Sequence, residues 1–130
     1  MILVDASVWI AFFRGEARPE ADRLGELLDS GRLVVGDLTL AEVLQGYSRK
    51  ADFKTAQALM LRFPFVDVAG RAVALASARN YIALRERGIT VRKTIDCLIA
   101  TRCLLDDLQL LHADRDFDPF EAHLGLRVVR

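Results

Sequence analysis

Short apolar runs, each too brief for a helix, recur along this chain with helical periodicity between them, and that alternation constrains the fold most. The runs are MILV (1–4), RLVVG (32–36), FVDV (65–68), LQLLH (108–112) and LRVV (126–129). MILV carries no polar residue at all, the mark of a strand buried on both faces of a parallel sheet. Between the runs lie helical patterns. Residues 5–15 put Trp9, Phe12 and Phe13 on one side and end at Gly15, and Pro19 starts a second helix through Leu24, Leu27 and Leu28 to Gly31. A third is expected over 39–47, a fourth over 51–63 before Pro64, a long alanine-rich one over 72–87 before Gly88, a central one from Thr94, and a short one in DPFEAH (118–123). Strands alternating with helices imply an α/β fold with a mainly parallel central sheet of four to five strands and helices on both faces. A chain of 130 residues fills one ordinary core and is short for two, so residues 1–130 are read as a single domain. In such folds ligands bind where strand C-terminal ends meet helix N-termini.

Several acids fall at that end of the sheet. Asp5 follows the first strand directly, where a helix N-cap is the ordinary explanation. Glu42 stands fourth in TLAE, which suits a capping box with Thr39, although Leu38, Leu40, Ala41, Val43 and Leu44 crowd the same turn. Asp96 lies in the first turn of the apolar helix TIDCLIATRC. The helix dipole supplies only ~0.3–1 kcal/mol there, against several for an ion that loses its water unpaired. Either a cation sits beside Asp96 or its pKa rises. Asp114 and Asp116 follow LQLLH, with Asp116 placed to cap the short helix that Pro119 helps start, and Asp118 reads as solvated. Each acid has a local explanation. Their joint placement at one end of one sheet does not, because gathered carboxylates repel unless they share a cation. All-oxygen ligands select Mg²⁺ or Mn²⁺ over zinc, and one or two ions fit equally well.

The formal charge is balanced, 18 basic against 18 acidic residues, so there is no overall basic footprint for nucleic acid. With five acids gathered in one metal-filled pocket, the remaining surface is positive. Cys97 and Cys103 lie six residues apart on one expected helix, about 9 Å of rise, too far for a disulfide, and read as core residues in a reducing compartment. Asp5 interrupts the opening apolar run and no membrane-length run follows, so a cytoplasmic, membrane-free protein is expected. Trp9, Phe12 and Phe13 are assigned to the core. His112 reads as a hydrogen-bonded structural imidazole, and His123 has no assigned role.

Four segments taken together, ILVDASVWI, TLAEVLQG, RKTIDCLIA and LLHADRDFD, resemble in order and spacing the PIN-domain ribonucleases of the VapC type, toxins of toxin–antitoxin pairs. The resemblance covers the whole chain and implies a PIN-domain-like fold. It implies that Asp5, Glu42, Asp96 and Asp114 form a metal-holding catalytic quartet with Asp116 as a further ligand. Ser7 and Thr39 match positions where the family carries a hydroxyl near the metal. It implies endonucleolytic, metal-dependent cleavage of structured RNA by an activated water, leaving a 5′-phosphate and a 3′-hydroxyl. It also implies a homodimer and a VapB-type antitoxin that inserts a segment into the acidic pocket. Arg92, Lys93 and Arg115 flank the acids as candidate phosphate contacts. Two other phosphate-handling classes fit poorly. A haloacid-dehalogenase-like phosphatase needs a second acid where Ser7 stands, and a receiver domain needs a later lysine in an arrangement this chain lacks. The remaining alternative is a non-catalytic RNA- or protein-binding module on the same fold.

Overall fold

The computed structural model describes all 130 residues. In chain order the elements are β1 (Ile2–Val4), α1 (Ala6–Phe13), α2 (Pro19–Leu27), β2 (Leu33–Gly36), α3 (Asp37–Leu44), α4 (Lys50–Met60), β3 (Phe65–Val66), α5 (Arg71–Glu86), α6 (Thr94–Asp106) and β4 (Gln109–Leu111). A 3₁₀ turn (Arg115–Phe117) and α7 (Asp118–Leu124) complete the chain. The four strands lie in the order β3-β2-β1-β4, and every pairing is parallel. Leu3 stands opposite Val34 on one side and Leu110 on the other, which makes β1 a central strand.

Period-two alternation explains why helices cover both faces. Ile2, Val4, Leu33, Val35 and Leu111 point one way and pack with Val8, Trp9, Leu24, Leu27, Val43 and Met60 of α1–α4. Leu3, Val34 and Leu110 point the other way and pack with Leu84, Cys97, Ile99, Phe117 and Phe120 from α5, α6, the 3₁₀ turn and α7. Trp9 is fully buried, with the half-buried Phe12, Phe13 and Phe63 around its indole at centroid separations of 6.4, 5.7 and 5.9 Å. Both cysteines are buried and free.

Three local expectations are corrected. Helix α3 begins at Asp37, with Gly36 as its N-cap and no side-chain capping bond, so Thr39 and Glu42 form no capping box. Asp37 takes over the entry, its Oδ1 accepting from the backbone N–H groups of Leu38 and of Val68, both at 2.8 Å. Asp116 caps nothing. Asp114 caps the 3₁₀ turn instead, accepting from the Asp116 N–H at 2.9 Å. The closing strand LRVV reduces to one parallel bridge, Leu110 to Val128, where Arg127 turns its guanidinium onto Asp107 at the base of β4.

The chain builds outward from β1 to β2 and β3, then α5 and α6 carry it back to β4 on the other side of β1. The crevice beyond β1 and β4 is therefore the topological switch point, where an open α/β sheet binds its ligand.

Candidate active site

Asp5 leaves β1 at this crevice and is nearly fully buried, at 4 % exposure. It does cap α1 as expected, its Oδ2 accepting from the Ser7 backbone N–H at 3.0 Å and from the Ser7 hydroxyl at 2.6 Å. The same hydroxyl accepts from the Ala113 N–H at 3.1 Å. Ser7 thus ties the ends of β1 and β4 together and fixes the rotamer of Asp5.

Asp96 enters from the first turn of α6, also 4 % exposed, and its buried Oδ2 has no hydrogen-bond partner. Lys93, one turn earlier, places Nζ 3.4 Å from that oxygen, an ion pair without hydrogen-bond alignment. The same ammonium donates to Asp114 Oδ2 at 3.3 Å. Arg92 stands 3.8 Å from Asp116 Oδ1. Carboxylate oxygens of Asp96, Asp114 and Asp116 all lie within 4.8 Å of one another.

Glu42 approaches from the last turns of α3, its Oε1 buried and unpartnered. Burial lifts its carboxyl to about 7, helped by the negative charges of Asp5 and Asp96. Asp96 is pushed up to about 6, mainly by burial, with Lys93 pulling down and Asp5 and Asp114 pushing up. Burial also raises Asp5, against its two bonds from Ser7, and Asp114 adds to the rise. Asp114 moves the other way. Burial opposes ionisation there too, but the Asp116 N–H and Lys93 outweigh it. These mutual influences tie Asp5, Glu42, Asp96 and Asp114 into one electrostatic unit, and the tightest ligand geometry belongs to Asp96, Asp114 and Asp116.

Of the two hydroxyls expected nearby, only Ser7 hydrogen-bonds an acid. Thr39 is fully buried in the first turns of α3, and its Oγ1 makes no hydrogen bond. His112 is held as expected, its Nδ1 accepting from the Asp114 N–H at 3.2 Å and its ring 5.0 Å from that of Phe117. A cavity of about 80 Å³ opens between the acids and the segment before α6, lined by Arg92, Lys93, Asp96, Arg115 and Asp116 among others. A larger one, about 340 Å³, lies between α2 and α7 and reaches His112 but none of the five acids, so the chemistry belongs to the smaller. Sequence reading missed two contacts, the Ser7 bridge to Ala113 and the seating of Lys93 between two carboxylates. Ala113 is 106 residues from Ser7 and Asp114 is 21 from Lys93, so spacing gave no signal for those two contacts, whereas Asp96 lies one helical turn from Lys93, a spacing that does offer a signal.

The donor set fits a hard divalent cation. Every candidate ligand atom is a carboxylate oxygen, and two of them, on Asp96 and Glu42, are buried without hydrogen bonds, a cost that a cation would remove.

A sequence profile described as the PIN domain matches residues 2–121. The chain is 32% identical over 120 residues to VapC ribonuclease Mb1587 of Mycobacterium bovis, covering 91% of this chain and 90% of that protein. It shows the same identity and coverage to Ribonuclease VapC11 of Mycobacterium tuberculosis. The crystal structure of VapBC2 from Rickettsia felis, bound to a DNA fragment from their promoter, superposes with a TM-score of 0.77 at 16% identity, over 99% of this chain and 98% of that one.

Proposed function

This chain belongs to the PIN-domain family, and from that premise we propose that it is a Mg²⁺- or Mn²⁺-dependent endoribonuclease, the toxin of a VapBC-type toxin–antitoxin pair. The observation that carries the reading is the gathering of Asp96, Asp114 and Asp116 within 4.8 Å at the switch point, close enough to Asp5 and Glu42 for their charges to act on one another, with two buried carboxylate oxygens left without hydrogen bonds.

Asp5, Glu42, Asp96 and Asp114 would hold the ion, with Asp116 as a further ligand. Bound there, such an ion supplies neutralisation of charge on the phosphoryl oxygens and a more acidic water. The chain's own residues do the rest. Ser7 keeps Asp5 in a single orientation, and Glu42, with its carboxyl near neutrality, is able to take up a proton at Oε1. Arg92 and Arg115 stand exposed at the rim of the cavity, where a guanidinium can hold a phosphate in two-pronged fashion. In-line attack by water on the scissile phosphate then leaves a 5′-phosphate and a 3′-hydroxyl.

The proposed partners are an RNA substrate, a VapB-type antitoxin that covers the acidic pocket, and a second copy of the chain. This reading rests on the curated relatives named ribonucleases and on the likeness to a VapBC complex. No helix is long and apolar enough to cross a membrane. The toxin reading implies a cytoplasmic site of action. No observation favours a non-catalytic binding module, since all five acids are present.

The test uses purified chain freed of antitoxin, mixed with total cellular RNA under three conditions: with Mn²⁺ or Mg²⁺, with chelator, and with metal and the Asp96→Asn variant. Cleavage is expected only in the first. Equal cleavage in all three, or none in any, overturns the reading.

A further inference from the structure

Arg92 and Lys93, candidate phosphate contacts by sequence, direct their charged groups toward the acids. Lys93 Nζ lies 3.3 Å from Asp114 Oδ2 and 3.4 Å from Asp96 Oδ2, and the Arg92 guanidinium lies 3.8 Å from Asp116. These are the three residues whose oxygens converge within 4.8 Å. Asp96 Oδ2 is otherwise unpartnered, so the ammonium is the one positive group directly against it. Lys93 reaches this place because it is the N-cap residue of α6, one turn before Asp96, and spends no side-chain hydrogen bond on capping.

We propose that Lys93 is the built-in counter-ion of the metal-free pocket, that a divalent ion and the Lys93 ammonium are alternative occupants of the Asp96–Asp114 pair, and that metal loading releases Lys93 toward the substrate phosphate. This inference rests on the metal-site reading given above and deepens it.

The geometry sets the two cations in competition for the same oxygens. Hard-cation ligation holds oxygen about 2.1 Å from the ion, so an ion on Asp114 Oδ2 stands within about 5.4 Å of Nζ where it now lies. Two positive groups that close, over an acidic floor half screened from water, repel strongly. The ammonium has somewhere to go. Lys93 is half exposed, four rotatable bonds carry its charge, and the 80 Å³ cavity beside it is lined by Arg92 and Arg115. A released ammonium would join those two guanidinium groups on the face where a phosphate arrives. The consequence is a coupling. Lys93 lowers affinity for metal in the resting protein, and after loading it adds to affinity for RNA, so by linkage each ligand favours the other.

The experiment measures Mn²⁺ binding to the full chain at pH 8 by electron paramagnetic resonance of the free ion. The proteins are wild type, Lys93→Met, Lys93→Arg and Asp96→Asn, each first checked for folding by circular dichroism. Lys93→Met is expected to bind Mn²⁺ about tenfold more tightly, a modest factor because the lysine is half exposed and screened. Lys93→Arg, which keeps the charge, is expected to stay within about twofold of wild type. Without metal, Lys93→Met is expected to melt lower than wild type and to gain more on adding Mn²⁺. If Lys93→Met binds Mn²⁺ no more tightly than wild type while Asp96→Asn still abolishes binding, the counter-ion role is wrong and the metal site stands. If neither wild type nor Lys93→Met binds Mn²⁺, the metal site itself is wrong and this inference falls with it. Should Lys93→Met fail to fold, Lys93→Gln is measured in its place against the same outcomes.

Discussion

Replacing Glu42 by Gln should make the metal-free protein more stable and the enzyme inactive. Burial, with Asp5 and Asp96 nearby, raises the Glu42 carboxyl from 4.5 to about 7 in the folded chain. At about 1.4 kcal/mol for each tenfold change, holding this group ionised in the fold costs about 3 kcal/mol. The sign follows from linkage. Between those two values the folded protein keeps a proton that the unfolded chain has released, so stability is fully present below 4.5 and is lost as pH rises through 7. Gln has nearly the same shape and never pays this cost. In chelator at pH 8 the Glu42→Gln variant should therefore be about 2–3 kcal/mol more stable than wild type, with a melting temperature higher by roughly 5–10 °C. At pH 5 the difference should shrink below about 1 kcal/mol. Urea unfolding at the two pH values, with Mn²⁺ binding measured in parallel, tests both halves. A variant no more stable than wild type at pH 8 would show that Glu42 sits comfortably ionised without a cation and that the crowded carboxylates need none.

The wild type should show the same logic across the pocket: with Asp5, Glu42 and Asp96 all raised, metal-free stability falls on raising pH from about 4 to 7, and saturating Mn²⁺ should raise the melting temperature at pH 8 far more than at pH 5. Scanning calorimetry at both pH values, with and without Mn²⁺, checks this, and an equal gain at both would contradict it. Ser7→Ala removes the donor to Asp5 and leaves the Ala113 N–H without its acceptor, so a loss of about 2–3 kcal/mol in urea unfolding is expected together with weaker Mn²⁺ binding. A loss below about 0.5 kcal/mol would mean that the bridge is not needed. Gly36→Ala would place a methyl 2.7 Å from Val68 Cγ2, where β2 hands over to α3; the expected cost is about 1–3 kcal/mol, and an unchanged melting temperature would show that Val68 gives way freely.

Which parts of this molecule were legible in advance follows the range of the interactions involved. MILV, with no polar residue and Asp5 at its end, announced a central parallel strand, because only a strand covered on both faces needs every side chain apolar. Asp5, Asp96 and Asp114 were recognisable because an acid beside a buried element is costly wherever the chain later goes. The entry to α3 was misread. TLAE satisfies the local grammar of a capping box, but Asp37 also reaches the Val68 N–H, 31 residues away, and that contact starts the helix two residues earlier. LRVV reads as a strand by composition, yet it adds only a single bridge, Leu110 to Val128.

By itself, then, the sequence determined the kinds of element, their order, and the end of the sheet at which charge would gather, since periodicity and the cost of a buried carboxylate act within a few residues. Folding in three dimensions decided the rest. It gathered Asp96, Asp114 and Asp116 within 4.8 Å of one another, joined β1 to β4 through the Ser7 hydroxyl, and set the Lys93 ammonium between two acids. Those outcomes depend on which distant groups meet at distances near 3 Å. The fall of Coulomb and hydrogen-bond energies with separation makes that a property of the packed chain and not of its spacing.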